Sequence, residues 1–286
     1  MGDYNSVARA HQDLLASVAA TRPAAGELAF WWCGQLTYIV KIGRTLIFLD
    51  PYLQENPART KPPLLTPEEC GGFDLVLCTH DHTDHLDPWA IPRLAAASAA
   101  RFVAPRALAG RMAELGVAAE RLVLLNAGET ADLGAVSVTA VASAHEFLDV
   151  TPDGLHPYLG YILRGGGVSA YHSGDTVWWE GLQAALRAQL PLDAAFVPIN
   201  GRDGERYRRN CIGNMGFAEA CDLVCGLPVG LAVPAHFDMF AGNSEDPLRF
   251  VDYLSAKYPG QPYWLGPAGE PVVVRASGGH DGLLGR

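Results

Sequence analysis

An α/β fold in one large domain is the architecture this sequence predicts, and three observations lead there. Short runs of apolar, β-branched and aromatic residues recur from residue 28 to residue 274, which is the signature of buried strands. From residue 74 onward these runs alternate with segments of helical composition, a pattern that layers helices on sheets. Of the 286 residues, 49% are hydrophobic and 18% are charged. Such a chain can bury a sizeable core and lies far from the composition of disordered segments.

The first 25 residues read as a helical extension. Residues 7–20 are rich in Ala and Leu, and Thr21-Arg22-Pro23 ends the run, since proline cannot continue a helix. Strands are expected at 28–33, 36–42 and 45–49, broken by Gly34 and by Gly43-Arg44, and they read as an antiparallel meander. A Pro-rich loop, 51–72, precedes a strand at 74–78. Alternation follows: helix 88–100, strand 101–104, helix 105–115, strand 121–124. Strands at 136–142, 158–163 and 168–171 come next, the last two joined by a hairpin turn at Gly165-Gly166-Gly167. Then come helix 178–190, strand 194–199, helix 216–224, strand 231–234, helix 247–257 and a closing strand at 271–274. The Gly-rich tail 278–286 is expected to fray. Periodicity supports one domain over 1–286, and two packed sheets with helices outside them would make a four-layer sandwich.

Charge and cysteine usage narrow the function classes. Lys and Arg number 21 against 31 Asp and Glu, a net charge of −10, which argues against a dedicated nucleic-acid binder. No apolar run is long enough to span a membrane. The N-terminus lacks the basic and apolar regions of a secretory leader. A cytoplasmic chain with reduced cysteines is therefore expected. Gly2 with Ser6 fits the loose myristoylation pattern, but so short a pattern is read as chance. Cys221 and Cys225 stand four apart, which is neither a zinc-finger nor a redox spacing.

The informative segment is Thr79-His80-Asp81-His82-Thr83-Asp84-His85, directly after the strand 74–78. On an extended chain, side chains two apart point to the same side, so His80 and His82 can hold one ion. A turn into a helix would aim Asp84 and His85 at a neighbouring ion. Imidazole and carboxylate donors suit Zn²⁺, Mn²⁺ or Fe²⁺. Farther on, His145, Asp175 and His236 each follow an expected strand end.

His-x-His-x-Asp-His after a strand resembles the metallo-β-lactamase superfamily of binuclear metallohydrolases. Within it, Phe30 to Gly34, Thr79 to Asp87, Ala170 to Thr176 and Val233 to Asp246 resemble the branch containing L-ascorbate-6-phosphate lactonase. The 51–72 loop is shorter than the segment those enzymes carry. The resemblance implies a four-layer αβ/βα sandwich and two divalent ions, Zn²⁺ or Mn²⁺ rather than iron. It implies that His80, His82 and His145 hold the first ion, that Asp84, His85 and His236 hold the second, and that Asp175 bridges them. Asp50 would orient a ligating histidine, and His172 beside the Asp175 motif is a second candidate for that role.

The chemistry so implied is hydrolysis of the ester-bond class. Two ions sharing a water lower its pKa, and the resulting hydroxide attacks a lactone or ester while Asp84 holds it. The substrate would be a small, anionic, sugar-phosphate-like molecule, with no membrane or nucleic-acid partner. Competing readings are a phosphodiesterase of the same fold, an iron-dependent oxidoreductase and a non-catalytic binding module. The Arg-rich stretch from Asn200 to Asn210 follows a strand whose end should reach the cleft. Asn200, Arg202 and Asn214 are the substrate-binding candidates there, since Arg clamps phosphate or carboxylate. The oligomeric state stays open, a homo-oligomer included. Of Trp31 and Trp32, one is expected in the core and the other facing outward.

Overall fold

The computed structural model describes residues 4–276. The Gly2 pattern and the tail 278–286 lie outside the described residues. The chain opens with helix α1 (Tyr4–Ala20) and the strands β1 (Glu27–Trp32), β2 (Tyr38–Ile42) and β3 (Thr45–Leu49). These three pair as the antiparallel meander the sequence predicts. The strands β4 (Leu75–Leu77), β5 (Arg101–Pro105) and β6 (Leu122–Leu125) then add in parallel, with helices α2 (Ala90–Ala97) and α3 (Ala109–Glu114) between them.

The second half repeats the plan. It runs through β7 (Thr130–Asp132), β8 (Ser137–Ala142), β9 (Leu159–Gly165), β10 (Val168–His172), α4 (Leu182–Arg187) and β11 (Leu192–Pro198). It continues with α5 (Gly204–Arg208), α6 (Phe217–Cys225), β12 (Val229–Ala235), α7 (Pro247–Lys257) and β13 (Val272–Arg275). One sheet has the order β13-β1-β2-β3-β4-β5-β6 and the other β12-β11-β10-β9-β8-β7. The architecture is an α/β sandwich of the metallo-β-lactamase type.

Alternation along β1 shows how the layers are held. Leu28, Phe30 and Trp32 join the core between the sheets, where the Phe30 and Tyr38 rings meet Phe196 of the opposite sheet at 5.1 and 4.3 Å. Ala29 and Trp31 point the other way, into a second core with Leu14 and Val18 of α1, Ile91 and Leu94 of α2, and Met112 of α3. Both tryptophans are therefore buried, and the expectation of one facing outward is corrected. A sheet covered on both faces has no solvent side. Trp31 still satisfies its indole N–H, which donates to Ser17 Oγ of α1 at 3.0 Å.

Other differences are local. β7 carries no apolar run, so nothing in the sequence marks it. Helix 178–190 begins only at Leu182, because Gly181 is left-handed (φ 100°) and Trp178 and Trp179 pack against the core instead. Strand 36–42 begins at Tyr38, because a turn closes first: the Thr37 N–H donates to Gly34 O at 2.9 Å. The short helix α5 lies in the Arg-rich stretch, started by Asp203, whose carboxylate accepts from the backbone of Glu205 and Arg206.

Topology sets the position of the site. β3 and β4 run parallel, as do β10, β11 and β12, and β8 runs with β10 because each is antiparallel to β9. Their C-terminal ends deliver residues 50, 79–85, 145, 175, 200 and 236. Ligands of open α/β sheets gather outside such strand ends.

Candidate metal centre

The chain beyond β4 curls at once, with the Leu86 N–H donating to His82 O at 2.7 Å. That turn separates the two halves of the motif. His80, His82, His145 and Asp175 present their donor atoms to one point, and Asp84, His85 and His236 to a second. His82 is the most exposed of the ligand histidines, and His80, His85, His145 and His236 are buried.

Asp175 joins the two groups. Its Oδ2 lies 3.5 Å from His145 Nε2, and its Oδ1 lies 3.2 Å from His236 Nε2 and 3.4 Å from His85 Nε2. Asp84 Oδ2 stands 3.5 Å from His236 Nε2 and 3.6 Å from His85 Nε2. Donors arranged tetrahedrally about 2.0–2.1 Å from one ion stand roughly 3.3–3.4 Å from each other. His85 Nε2 and Asp175 Oδ1 are moreover buried with no hydrogen-bond partner, an arrangement a protein seldom leaves unanswered. Spacing, donor type and orphaned atoms all fit a divalent cation. Gly174 lets this happen: it is left-handed (φ 60°), and a Cβ there would sit 2.8 Å from Leu159 O and Thr79 Cβ.

Asp50 lies beneath the second group, fully buried and left-handed at φ 42°. Its carboxylate accepts from Thr79 N and Thr79 Oγ1, each at 2.8 Å. It also meets His85 Nδ1 at 2.8 Å and His172 Nε2 at 2.9 Å. The Asp50–His85 contact fixes which imidazole nitrogen faces the ligand cluster. His172 acts one step back, through Asp50. Strain at Asp50 persists because four donors over-determine its place. Burial disfavours the charge, but the facing His85 and His172 outweigh it and hold this carboxyl below its usual range.

Gln35 was not singled out in the sequence. It is fully buried, left-handed at φ 54°, and its Nε2 donates to Asp84 Oδ2 at 2.8 Å and lies 3.0 Å from His236 Nε2. A lone glutamine in a turn carries no signal without the fold.

The two ligand groups differ electrostatically. Burial lowers the His145 pKa to about 4 and holds His80 well below its usual range. Burial also opposes charge on His236, but Asp175 and Asp84 outweigh it and raise the pKa to about 9. Asp175, Asp84 and Asp50 likewise hold His85 well above its ordinary value. At pH 7 the metal-free protein thus keeps protons on His85 and His236 and none on His80 or His145. Cation binding requires neutral imidazole. Loading the second group should therefore release about one proton from each of His85 and His236, and its affinity should climb with pH at least until His236 has titrated at about 9. The first group should show little such dependence from His80 and His145. Titration calorimetry in buffers of different ionisation enthalpy measures this, and equal proton release from both groups would contradict it.

Above the ligands lies a cleft of about 550 Å³, lined among others by Tyr52, Asn56, Arg209, Cys211, Ile212, Phe240 and Asn243. Of the three substrate-binding candidates, none lines it. Arg202 is taken by Glu219, with Nη1 and Nη2 donating at 2.8 and 2.9 Å. Asn200 and Asn214 are buried, bonded to each other at 3.2 Å, and Asn200 reaches Asn243 at 2.8 Å. They brace the wall from behind. Arg209 is the only Lys or Arg among the described residues lining the cleft. All six cysteines are free thiols, and no described helix is long and apolar enough to cross a membrane.

A sandwich with paired His/Asp clusters at its strand ends defines a class of metallohydrolase-type proteins. The model of the Beta-lactamase superfamily domain matches residues 45–237, and the chain belongs to that metallo-β-lactamase superfamily. It is 32% identical over 245 residues to a UPF0173 metal-dependent hydrolase of Opitutus terrae, covering 84% of this chain and 97% of that relative. In fold it is similar to Igni18, a metallo hydrolase of Ignicoccus hospitalis, at a TM-score of 0.66 and 23% identity, over 86% of this chain and 98% of the other. It is also similar to CmlA, a diiron β-hydroxylase of Streptomyces venezuelae, at a TM-score of 0.66 and 16% identity, over 89% of this chain and 55% of that one.

Proposed function

We propose that the protein is a binuclear metal-dependent hydrolase that opens a small anionic lactone or ester. The observation that carries this reading is the pair of ligand groups sharing Asp175 on the floor of an open cleft. Two divalent ions held there would lower the pKa of water from about 15.7 toward roughly 7 and polarise a carbonyl oxygen. The chain's own residues supply the remainder. Asp84, held below its usual carboxylate range because His85 and His236 outweigh the cost of burial, stays ionised and accepts a hydrogen bond from the attacking water. Tyr52, Ile212 and Phe240 give the substrate apolar walls, and Asn56 and Asn243 give it polar contacts.

Arg209 supports an anionic substrate. Its Nη2 donates to Gly242 O at 3.1 Å and meets the exposed Glu205 only at 3.5 Å, so the guanidinium keeps donors for a carboxylate or phosphate. Arg209→Ala should raise KM about tenfold or more for an anionic substrate and leave kcat within about threefold; Arg202→Ala, with its partner Glu219 outside the cleft, should change neither. An unchanged KM in the Arg209 variant would remove that residue from substrate binding. The resemblance to the lactonase branch supports a lactone. A hydrolysis screen over lactones, thioesters and phosphodiesters, after metal quantification, tests the whole reading. Lactone or ester turnover is expected; turnover of bis(p-nitrophenyl) phosphate alone would make it a phosphodiesterase, and iron with redox turnover an oxidoreductase.

A further inference from the structure

Gln35 stands where an additional donor to the second ion would stand. Its terminal Nε2 lies 2.8 Å from Asp84 Oδ2 and 3.0 Å from His236 Nε2, and it bonds neither His85 Nε2 nor Asp175 Oδ1, which have no hydrogen-bond partner. Two donors at right angles, each about 2.1 Å from one ion, are about 3.0 Å apart. The amide end thus sits beside one edge of the four-donor set and away from the other two donors, as a fifth ligand does.

The other end of the amide points to the same role. Gln35 Oε1 is buried without a hydrogen-bond partner, although the side chain is fully enclosed. Nitrogen and oxygen of a carboxamide are nearly the same size, so a half-turn exchanges them in place. Without a cation, N–H must face the Asp84 carboxylate, because the amide oxygen there would repel it. With a cation between Asp84 and His236 the preference reverses, since an amide oxygen can ligate a divalent ion and an N–H cannot. Residues of left-handed backbone fix Gln35 and His236 (φ 54° and 56°), and the His236 N–H donates to Gln35 O at 3.1 Å. The two turns are therefore held together before any ion arrives.

We propose that Gln35 is a protein ligand to the second metal ion, donating its N–H group to Asp84 in the metal-free protein and turning its oxygen to the ion when one binds. This rests on reading Asp84, His85 and His236 as that ion's ligands. The test is a Zn²⁺ and Co²⁺ titration of the full chain, wild type against Gln35→Leu and Gln35→Glu, with metal-free melting curves to confirm folding. All three residue types pay a similar cost for the left-handed backbone.

In Gln35→Leu the second ion's Kd should rise about tenfold or more, the first ion's should stay unchanged, and the Co²⁺ visible band should intensify as the ion loses one ligand. Gln35→Glu should keep the second ion's affinity at or above wild type, because it retains an oxygen at the same reach. A mere brace would behave oppositely there, as a carboxylate cannot donate to Asp84 and would repel it. Loss of the second ion in Gln35→Glu, or no change in Gln35→Leu, overturns the proposal while leaving the binuclear reading intact. A wild-type protein that takes only one ion overturns both.

Discussion

Asp175→Ala should lose both ions' tight binding and lower kcat/KM by about a thousandfold or more, roughly 4 kcal/mol of transition-state stabilisation. Its two carboxylate oxygens divide between the ligand groups: Oδ2 faces His145 and Oδ1 faces His85 and His236. Removing it deletes a donor from each group at once. Asp175→Asn is the sharper variant, because it keeps shape and one oxygen while discarding the charge. It too should lose metal, since the carboxylate's charge stabilises both cations. Elemental analysis after gel filtration, with turnover on the best substrate of the screen, reads both effects. Two retained ions together with near-normal turnover would remove Asp175 from the bridging position.

Asp50→Ala should destabilise the metal-free protein by about 3–5 kcal/mol. The carboxylate answers Thr79 N, Thr79 Oγ1, His85 Nδ1 and His172 Nε2, all in the sealed interior. Truncation leaves those groups without an acceptor, and the cost is that of burying unsatisfied polar groups. His85 also loses the contact that orients it, so metal affinity should fall about 10–100-fold. Urea denaturation in chelator measures the first effect, and metal titration the second. A loss under about 1 kcal/mol would mean that the four donors find other partners. Asp50→Asn should fall between, since an amide accepts at one oxygen only.

Legibility of the site followed how locally each part is encoded. His80, His82, Asp84 and His85 were visible because one turn supplies them. His145, Asp175 and His236 were visible as strand-end residues in the right order, and their assignment leaned on the family resemblance. Asp50 was visible as the residue after the strand 45–49, its role leaned on the family resemblance, and its four donors needed the fold. Gln35 was invisible, because its partner His236 lies 201 residues away. The Arg-rich stretch showed its composition but not its direction. Arg202 turns to Glu219, and only Arg209, just past α5, meets the cleft.

The sequence by itself determined the α/β class, the order of the strands from the meander to β13 with the exception of β7, and the donor types for a divalent cation. Those properties are written in short-range patterns: apolar runs, turn residues and the spacing within one motif. Tertiary structure alone decided that both faces of β1 are covered, that Asp175 spans the two ligand groups, and that a glutamine from the β1–β2 turn reaches Asp84 and His236. The physical reason is that each depends on two sheets packing face to face with their parallel strand ends at one edge, and no local pattern records which distant side chains that packing brings within hydrogen-bonding distance.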